Sequence, residues 1–418
     1  MPANSPRRIL FASLVGTAIE FFDFYIYGTA AVLVFPQLFF PSADPAAATL
    51  ASLATFAIAF FARPVGAALF GHFGDRIGRK ATLVAALLTM GISTVAIGLL
   101  PTYQSIGIWA PMLLALCRFG QGLGLGGEWG GAVLLAVENA PPGKRAWYGM
   151  FPQLGAPVGF FFSGAIFLLL SQVLTNKQFL SYGWRLPFVG SAVLVAVGLY
   201  VRLAITETPV FEKAAADRVR LPMLEVARDH LPALGVGVLL SLSTFVLFYV
   251  MTVFTLSWGT SEMGIDRNRF LVFQLAGAVA FAIAIPVAAW LAERGRRAVA
   301  VWANLLVVAF GMVAFEPLFN AGYTGALVMS VVGMGLIGAV YGPLGTHLSE
   351  QFPTTVRYSG TAITYNLGGI LGASLAPYAS IWLARHHGLA AVGWYIAASG
   401  ALALVGIALV RETREVEL

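Results

Sequence analysis

A run of about 20 apolar residues recurs twelve times along this chain, at roughly 10–35, 48–72, 81–100, 107–137, 148–171, 186–206, 232–257, 269–292, 298–318, 322–347, 358–384 and 390–410. Roughly 20 such residues in a helix cross the hydrocarbon core of a bilayer. Composition agrees: 59% of the 418 residues are hydrophobic and 11% charged, against about 25% charged in soluble domains. A chain this long with so few charges cannot dress its surface for water. Its 46 Gly and 21 Pro fit membrane helices, where neighbouring helices satisfy freed backbone groups. The fold class expected is therefore an all-α membrane protein with twelve transmembrane helices.

Twelve passages put both termini on one side, and basic residues say which. Of the 25 Lys and Arg, 18 fall on the side of the termini, Arg202 among them; Lys177, Arg185, Arg267, Arg269 and Arg385 fall on the other, and Arg63 and Arg118 lie within spans. Short cytoplasmic loops accumulate Lys and Arg, so both termini are expected in the cytoplasm. The net charge of +6 is then a topology signal and implies no nucleic-acid partner. The single cysteine, Cys117, leaves no disulfide framework and no cysteine metal site. Glu20 and Asp23 interrupt residues 7–30 too early for a cleaved signal peptide, so that segment reads as the first permanent helix.

The longest polar stretch, 207–231, divides the chain near its middle. The expected domains are a six-helix bundle over 1–206, a cytoplasmic linker loop over 207–231 and a second bundle over 232–418. Repeats support the division. Glu138-x-x-Pro141-x-x-x-Arg145 recurs 212 residues later as Glu350-x-x-Pro353-x-x-x-Arg357, each copy following an even-numbered span. The loop from Gly71 to Lys80 has a counterpart, Glu293-Arg294-Gly295-Arg296-Arg297, offset by 217 at the glycine. Parallel halves of this kind build a central site about which two bundles rock.

The segment GHFGDRIGRKATL from Gly71 resembles the signature loop between helices two and three of the major facilitator superfamily. Within it, GTAIEFFDFYIYG from Gly16, FARPVGAALFGHFGDR from Phe61, RFGQGLGLGGEWGGA from Arg118 and VRYSGTAITYNLGG from Val356 resemble the metabolite:proton symporter family. The resemblance runs over nearly the whole chain. It implies the major facilitator fold of two pseudo-symmetric six-helix bundles, and transport of shikimate, citrate, 2-oxoglutarate or similar acids, or of proline and betaine, with proton symport. Two departures stand out. The second-half loop lacks Asp and is one residue shorter before Gly295, and about eight residues follow the last span, fewer than the coiled coil of osmosensing members needs.

An ionisable side chain at mid-membrane costs about 2.5–3.5 kcal/mol or more and by default marks function. Glu20 and Asp23 are three residues apart, on one helical face with Tyr27 beyond them. Two carboxylates so placed cannot both be cheaply ionised, which suits one of them, Asp23 first, to carry a proton. Arg118, Gln121, Leu125 and Glu128 line one stripe of the fourth span. In proton-coupled members of the superfamily a helix-one acid often pairs with a helix-four Arg, and Asp23 with Arg118 resembles that arrangement. Arg118 is then also the expected clamp for a substrate carboxylate, with the alternative that it only joins helix four to helix one. The second half has Ser330 and Val340 near the positions equivalent to Arg118 and Glu128, so function is expected in the asymmetry. Glu128 is expected to pair with Arg63 as a second coupling site, an inner gate or a static brace. Tyr249, Tyr341, Tyr365 and Asn366 are candidates for the cavity wall of the second half.

Asp75, Arg76, Arg79, Glu138, Arg145, Glu350 and Arg357 lie at the cytoplasmic ends and read as gate parts that break when the bundles rock. Pro152, Gly155, Pro157 and Gly159 predict close helix approach in span five. Gly122-x-Gly124-x-x-Gly127 and Gly333-x-Gly335-x-x-Gly338 match a nucleotide fingerprint, but no strand precedes them and they read as packing grooves. His347 reads as a loop-edge residue. No cofactor, no metal, no obligatory protein partner and no enzymatic reaction are expected, since no nucleophile or metal cluster stands in the spans. The function expected is import of a small organic acid, mono-, di- or tricarboxylate, by proton symport across a bacterial-type inner membrane. The alternatives are a zwitterion symporter or a drug:proton antiporter.

Overall fold

The computed structural model describes residues 6–42, 44–77, 79–203, 222–353 and 356–410. The side chains of residues 71–83, and with them Asp75, Arg76 and Arg79, lie outside the described residues. The described chain is helical, and 10 of its helices are long and apolar enough to cross a membrane. Two further passages complete twelve: the helix ending Val84–Leu99 is a shorter apolar one, and the fourth is broken into two pieces. In chain order they are α1 (Pro6–Leu33), α2 (Pro45–Ile77), α3 (Arg79–Leu99), α4 (Trp109–Gly126 and Trp129–Glu138), α5 (Arg145–Val173) and α6 (Arg185–Leu203). The second set is α7 (Leu231–Ser261), α8 (Arg267–Ala292), α9 (Arg296–Asn320), α10 (Gly322–Ser349), α11 (Arg357–His387) and α12 (Leu389–Leu409). Of the polar stretch at 207–231, the described part contains a short helix, Pro222–Asp229, whose Val226 is buried against Phe352 and Val356.

Helix pairing repeats between the halves. α1 packs on α5, α2 on α4 and α3 on α6; equivalently, α7 packs on α11, α8 on α10 and α9 on α12. The bundles meet where α5 lies along α8 and α2 along α11, a pair of contacts that the same symmetry exchanges. Between helices in lipid the attraction comes from close packing, so small residues collect at the crossings. A Cβ on Gly126 would lie 2.0 Å from the Arg63 carbonyl oxygen, and one on Gly66 2.0 Å from that of Leu123. Both stand where α2 and α4 cross. On α5, Gly155 and Gly159 meet Thr17 and Phe22 of α1 in the same way, and the glycines at 122, 124 and 127 are packed against Ala59, Ala86 and Phe70. Gly126→Ala is expected to destabilise the protein by about 1–3 kcal/mol through overpacking. Gly335→Ala, where no atom stands within 4 Å, is expected to change little; thermal unfolding of the two variants in detergent separates them.

Candidate functional site

Between the bundles is a narrow cleft lined by side chains of both halves. Its walls are aromatic: Tyr25 of α1 faces Phe248 and Tyr249 of α7, Tyr341 of α10 and Tyr365 of α11. The Tyr25 and Phe248 rings are 5.1 Å apart across the interface, and the Tyr341 and Tyr365 hydroxyls are 3.5 Å apart. α7 and α11 each carry one widened turn, at Val250–Phe254 and Ile370–Ser374, and such bulges re-aim side chains within a helix. The cation among the lining residues is Arg63, next to the helix-interior Pro64. It is 3% exposed, its guanidinium stands 4.5 Å from the Phe24 ring centre and 4.3 Å from that of Phe60, and its Nε has no hydrogen-bond partner.

Of the substrate-contact and cavity-wall residues expected from sequence, Arg63, Tyr249, Tyr341 and Tyr365 line this cleft, while Tyr27, Arg118, Gln121 and Asn366 are not among its lining residues. Arg118 is fully buried inside the first bundle, its guanidinium 4.0 Å from the ring centres of both Phe24 and Tyr27. Its Nη1 donates to Gln121 Oε1 at 2.9 Å, while Nε and Nη2 have no hydrogen-bond partner. Tyr27 donates to Thr55 Oγ1 at 2.5 Å. Asn366 points away from the cleft and donates to the Gly126 carbonyl at 3.2 Å. The rings of Phe24, Tyr27 and Phe56 pack over the Arg118 guanidinium, a contact that sequence spacing could not reveal.

The buried acids also find other partners than expected. Asp23, 1% exposed, accepts at Oδ1 from Ser191 Oγ of α6 at 2.5 Å. Gln121 stands between Asp23 and Arg118, donating from Nε2 to the Asp23 carbonyl at 3.4 Å and to Thr94 Oγ1 at 2.8 Å. The expected direct pair is not formed: Gln121 joins Arg118 to the backbone of Asp23, while the Asp23 carboxylate is held by Ser191. Glu128 is not with Arg63. It contacts Arg202, which also holds Glu20 at 2.5 Å. Arg202, counted from sequence as a loop cation, is 8% exposed; it sits in the last turn of α6 and its long stem reaches back between α1 and α4.

At the end of the molecule where α1 starts, Arg145 of α5 lies 3.7 Å from Glu350 of α10 across the two bundles, and Arg296 of α9 lies 3.0 Å from the same carboxylate. Arg357 donates from Nε to the Phe352 carbonyl at 3.1 Å, within electrostatic reach of Glu138 and Glu350. Glu293 Oε1 accepts from the Trp147 backbone N–H at 2.8 Å, so a carboxylate of the second half sits on the first turn of α5. An anion is favoured at that helix end by its unsatisfied N–H groups. The second-half loop, though it lacks Asp, thereby supplies an acid to this contact through Glu293. One layer deeper, Trp129 donates to Gln153 Oε1 at 3.1 Å, Gln153 donates to the Tyr341 carbonyl at 2.9 Å, and Trp129 stacks on Tyr365 with ring centres 3.5 Å apart. His347, expected at a loop edge, is buried in the last turn of α10. Sequence reasoning missed Tyr25, Trp129, Gln153, Ser191 and Arg202; the aromatic and amide residues carried no spacing signal, and Arg202 was masked by its place at a helix end.

A family model described as sugar (and other) transporter matches residues 9–219. The chain is 56% identical to the inner membrane metabolite transport protein YhjE of Escherichia coli K12, over 100% of this chain and 97% of that one. It is 38% identical to the shikimate transporter of the same organism, over 89% of this chain and 86% of that one. Its fold superimposes on the partially occluded inward-open xylose transporter XylE of E. coli with a TM-score of 0.76 at 18% identity, covering 99% of each chain.

Proposed function

Because the chain belongs to the sugar (and other) transporter family within the major facilitator superfamily, and so is a multi-pass inner-membrane transporter and not an enzyme, we propose that it imports a small organic acid together with one or more protons, with the carboxylate held on Arg63. The observation that carries this reading is Arg63, the cation that lines the aromatic cleft. A guanidinium in a low-dielectric wall binds a carboxylate through its planar fork. The hydroxyls of Tyr25, Tyr249, Tyr341 and Tyr365 complement hydroxyl or keto groups on the same molecule. Shikimate, which names the relative at 38% identity, is a ring carboxylate with three hydroxyls and suits such a lining. A second reading rests on the same rings: a zwitterion would place its carboxylate on Arg63 and its ammonium over the aromatic faces.

Asp23 is the proposed proton carrier, with Arg118 as its coupling partner in place of the clamp role expected from sequence. Loss of the proton leaves a carboxylate on α1, and Arg118 of α4, with two unpartnered nitrogens, is proposed to move towards it as Gln121 yields. Proton uptake separates them again. The end where α1 starts, rich in basic residues, is proposed as the cytoplasmic one, and 1–206 and 232–418 as the bodies that rock. Contacts of Glu138, Arg145, Glu350 and Arg357, joined by Glu293 and Arg296, then close the inner gate; Asp75, Arg76 and Arg79 are proposed for the same face.

The test is reconstitution into liposomes with external pH recorded as shikimate, citrate, 2-oxoglutarate, proline and betaine are added in turn. External alkalinisation with one acid is expected. Asp23→Asn is expected to abolish accumulation against a gradient while sparing exchange of labelled substrate. Accumulation by that variant at the parent level would remove Asp23 from the mechanism, and silence with every acid would overturn acid symport.

A further inference from the structure

The fourth passage is interrupted between Gly126 and Trp129, with Gly127 and Glu128 in the gap. In a bilayer the carbonyls freed by such a break must find other donors. Here both donors come from α11, in the opposite bundle: Asn366 Nδ2 donates to the Gly126 carbonyl at 3.2 Å, and the Tyr358 hydroxyl donates to that of Gly127. Trp129, the first residue past the gap, stacks on Tyr365 of the same helix. Glu128 turns the other way, into its own bundle, where it and Glu20 share Arg202. Four consecutive residues therefore join a buried charge cluster to the closed face between the bundles.

Two carboxylates on one guanidinium leave one negative charge in excess within this trio. Burial makes that excess costly, and a single proton removes it. The packed elements carry other ionisable groups: Arg118 and Glu138 on α4, Arg185 on α6, and Arg7, Arg8, His72, Asp75 and Arg76 on α1 and α2, the side chains of these last five lying outside the described residues. α1 also carries Asp23, α2 carries Arg63, whose backbone packs on Gly126, α5 carries Arg145 at its start, and the described span of α3, Val84–Leu99, has no charged residue.

We propose that the break in α4 is a proton-operated joint. With Glu128 ionised on Arg202, the Gly126 and Gly127 carbonyls are held towards α11 and the gate is latched. Protonation of Glu128 loosens its hold on Arg202, the gap turns, and Asn366 and Tyr358 lose their acceptors. This rests on the proton-coupled reading above and adds to it the element that carries the proton's effect across the interface.

The experiment needs no substrate. Spin labels are placed at Pro141→Cys and Pro353→Cys, both exposed in loops at the gate end, in full-length protein carrying Cys117→Ser, and the interspin distance is followed in nanodiscs from alkaline to acid pH. The distance is expected to lengthen on acidification in the parent and in Glu128→Asp. It is expected to be long at every pH in Glu128→Gln, and equally in Tyr358→Phe combined with Asn366→Leu. A Glu128→Gln protein that still shifts with pH overturns the joint, as does a Tyr358/Asn366 double variant that keeps the short distance at high pH. A parent with no pH-dependent distance also overturns it, and does so independently of the liposome result, on which the symport reading stands or falls.

Discussion

Replacing Arg63 with alanine is expected to raise the KM for the transported acid by roughly 30-fold to several-thousand-fold. The range follows from the cost of truncating one partner of a buried, hydrogen-bonded charge pair, about 2–5 kcal/mol, at about 1.4 kcal/mol per tenfold. The high end applies if no water replaces the guanidinium, and an aromatic wall favours that outcome because it offers few polar groups to hold one. Arg63→Lys keeps the charge but loses the planar fork, so an intermediate KM is expected. Arg118→Ala provides the contrast. Its side chain lies behind Phe24 and Tyr27, so its removal is expected to act on accumulation more than on the KM for exchange. Initial-rate uptake and counterflow in the same liposomes measure the two quantities separately. A KM unchanged in Arg63→Ala, together with one raised by Arg118→Ala, would return the carboxylate to the site expected from spacing alone.

That contrast shows how far spacing reaches. The passages were legible because a membrane helix must satisfy its own backbone and be apolar over its whole length, which leaves a long unambiguous signal. Arg118 and Gln121 were legible as neighbours for the same local reason: three residues apart on a helix, they are joined by a 2.9 Å bond. Partners on different helices were not. Nothing in the one-dimensional pattern distinguishes Arg63 from Arg202 as the partner of Glu128, since both lie on helices whose rotation is set by packing. The glycines that bring α2 against α4 place the backbone of Arg63 on Gly126 while its side chain faces the cleft. Arg202 meets Glu128 instead. The break after Gly126 was hidden as well, because a glycine in a membrane helix signals close packing as readily as interruption.

Arg202→Leu is expected to produce the largest loss of stability, about 3–5 kcal/mol, out of the roughly 5–15 kcal/mol that a folded protein commonly holds. The trio joins α1, α4 and α6, and removal of the guanidinium leaves two buried carboxylates facing each other with no counter-charge from that residue. Adding Glu20→Gln and Glu128→Gln to Arg202→Leu is expected to restore most of the loss, because neutral amides need hydrogen bonds and no counter-ion. Single replacement of either acid is expected to cost less than loss of Arg202, since one carboxylate still balances the guanidinium. Thermal unfolding in detergent, with the four variants measured side by side, tests the ordering. If Arg202 served only to fix topology, as its place at the end of α6 suggests, Arg202→Leu would cost well under about 1 kcal/mol and the triple variant would show no recovery. Recovery in the triple variant separates the two roles, because a topological cation is not replaced by neutralising acids on other helices.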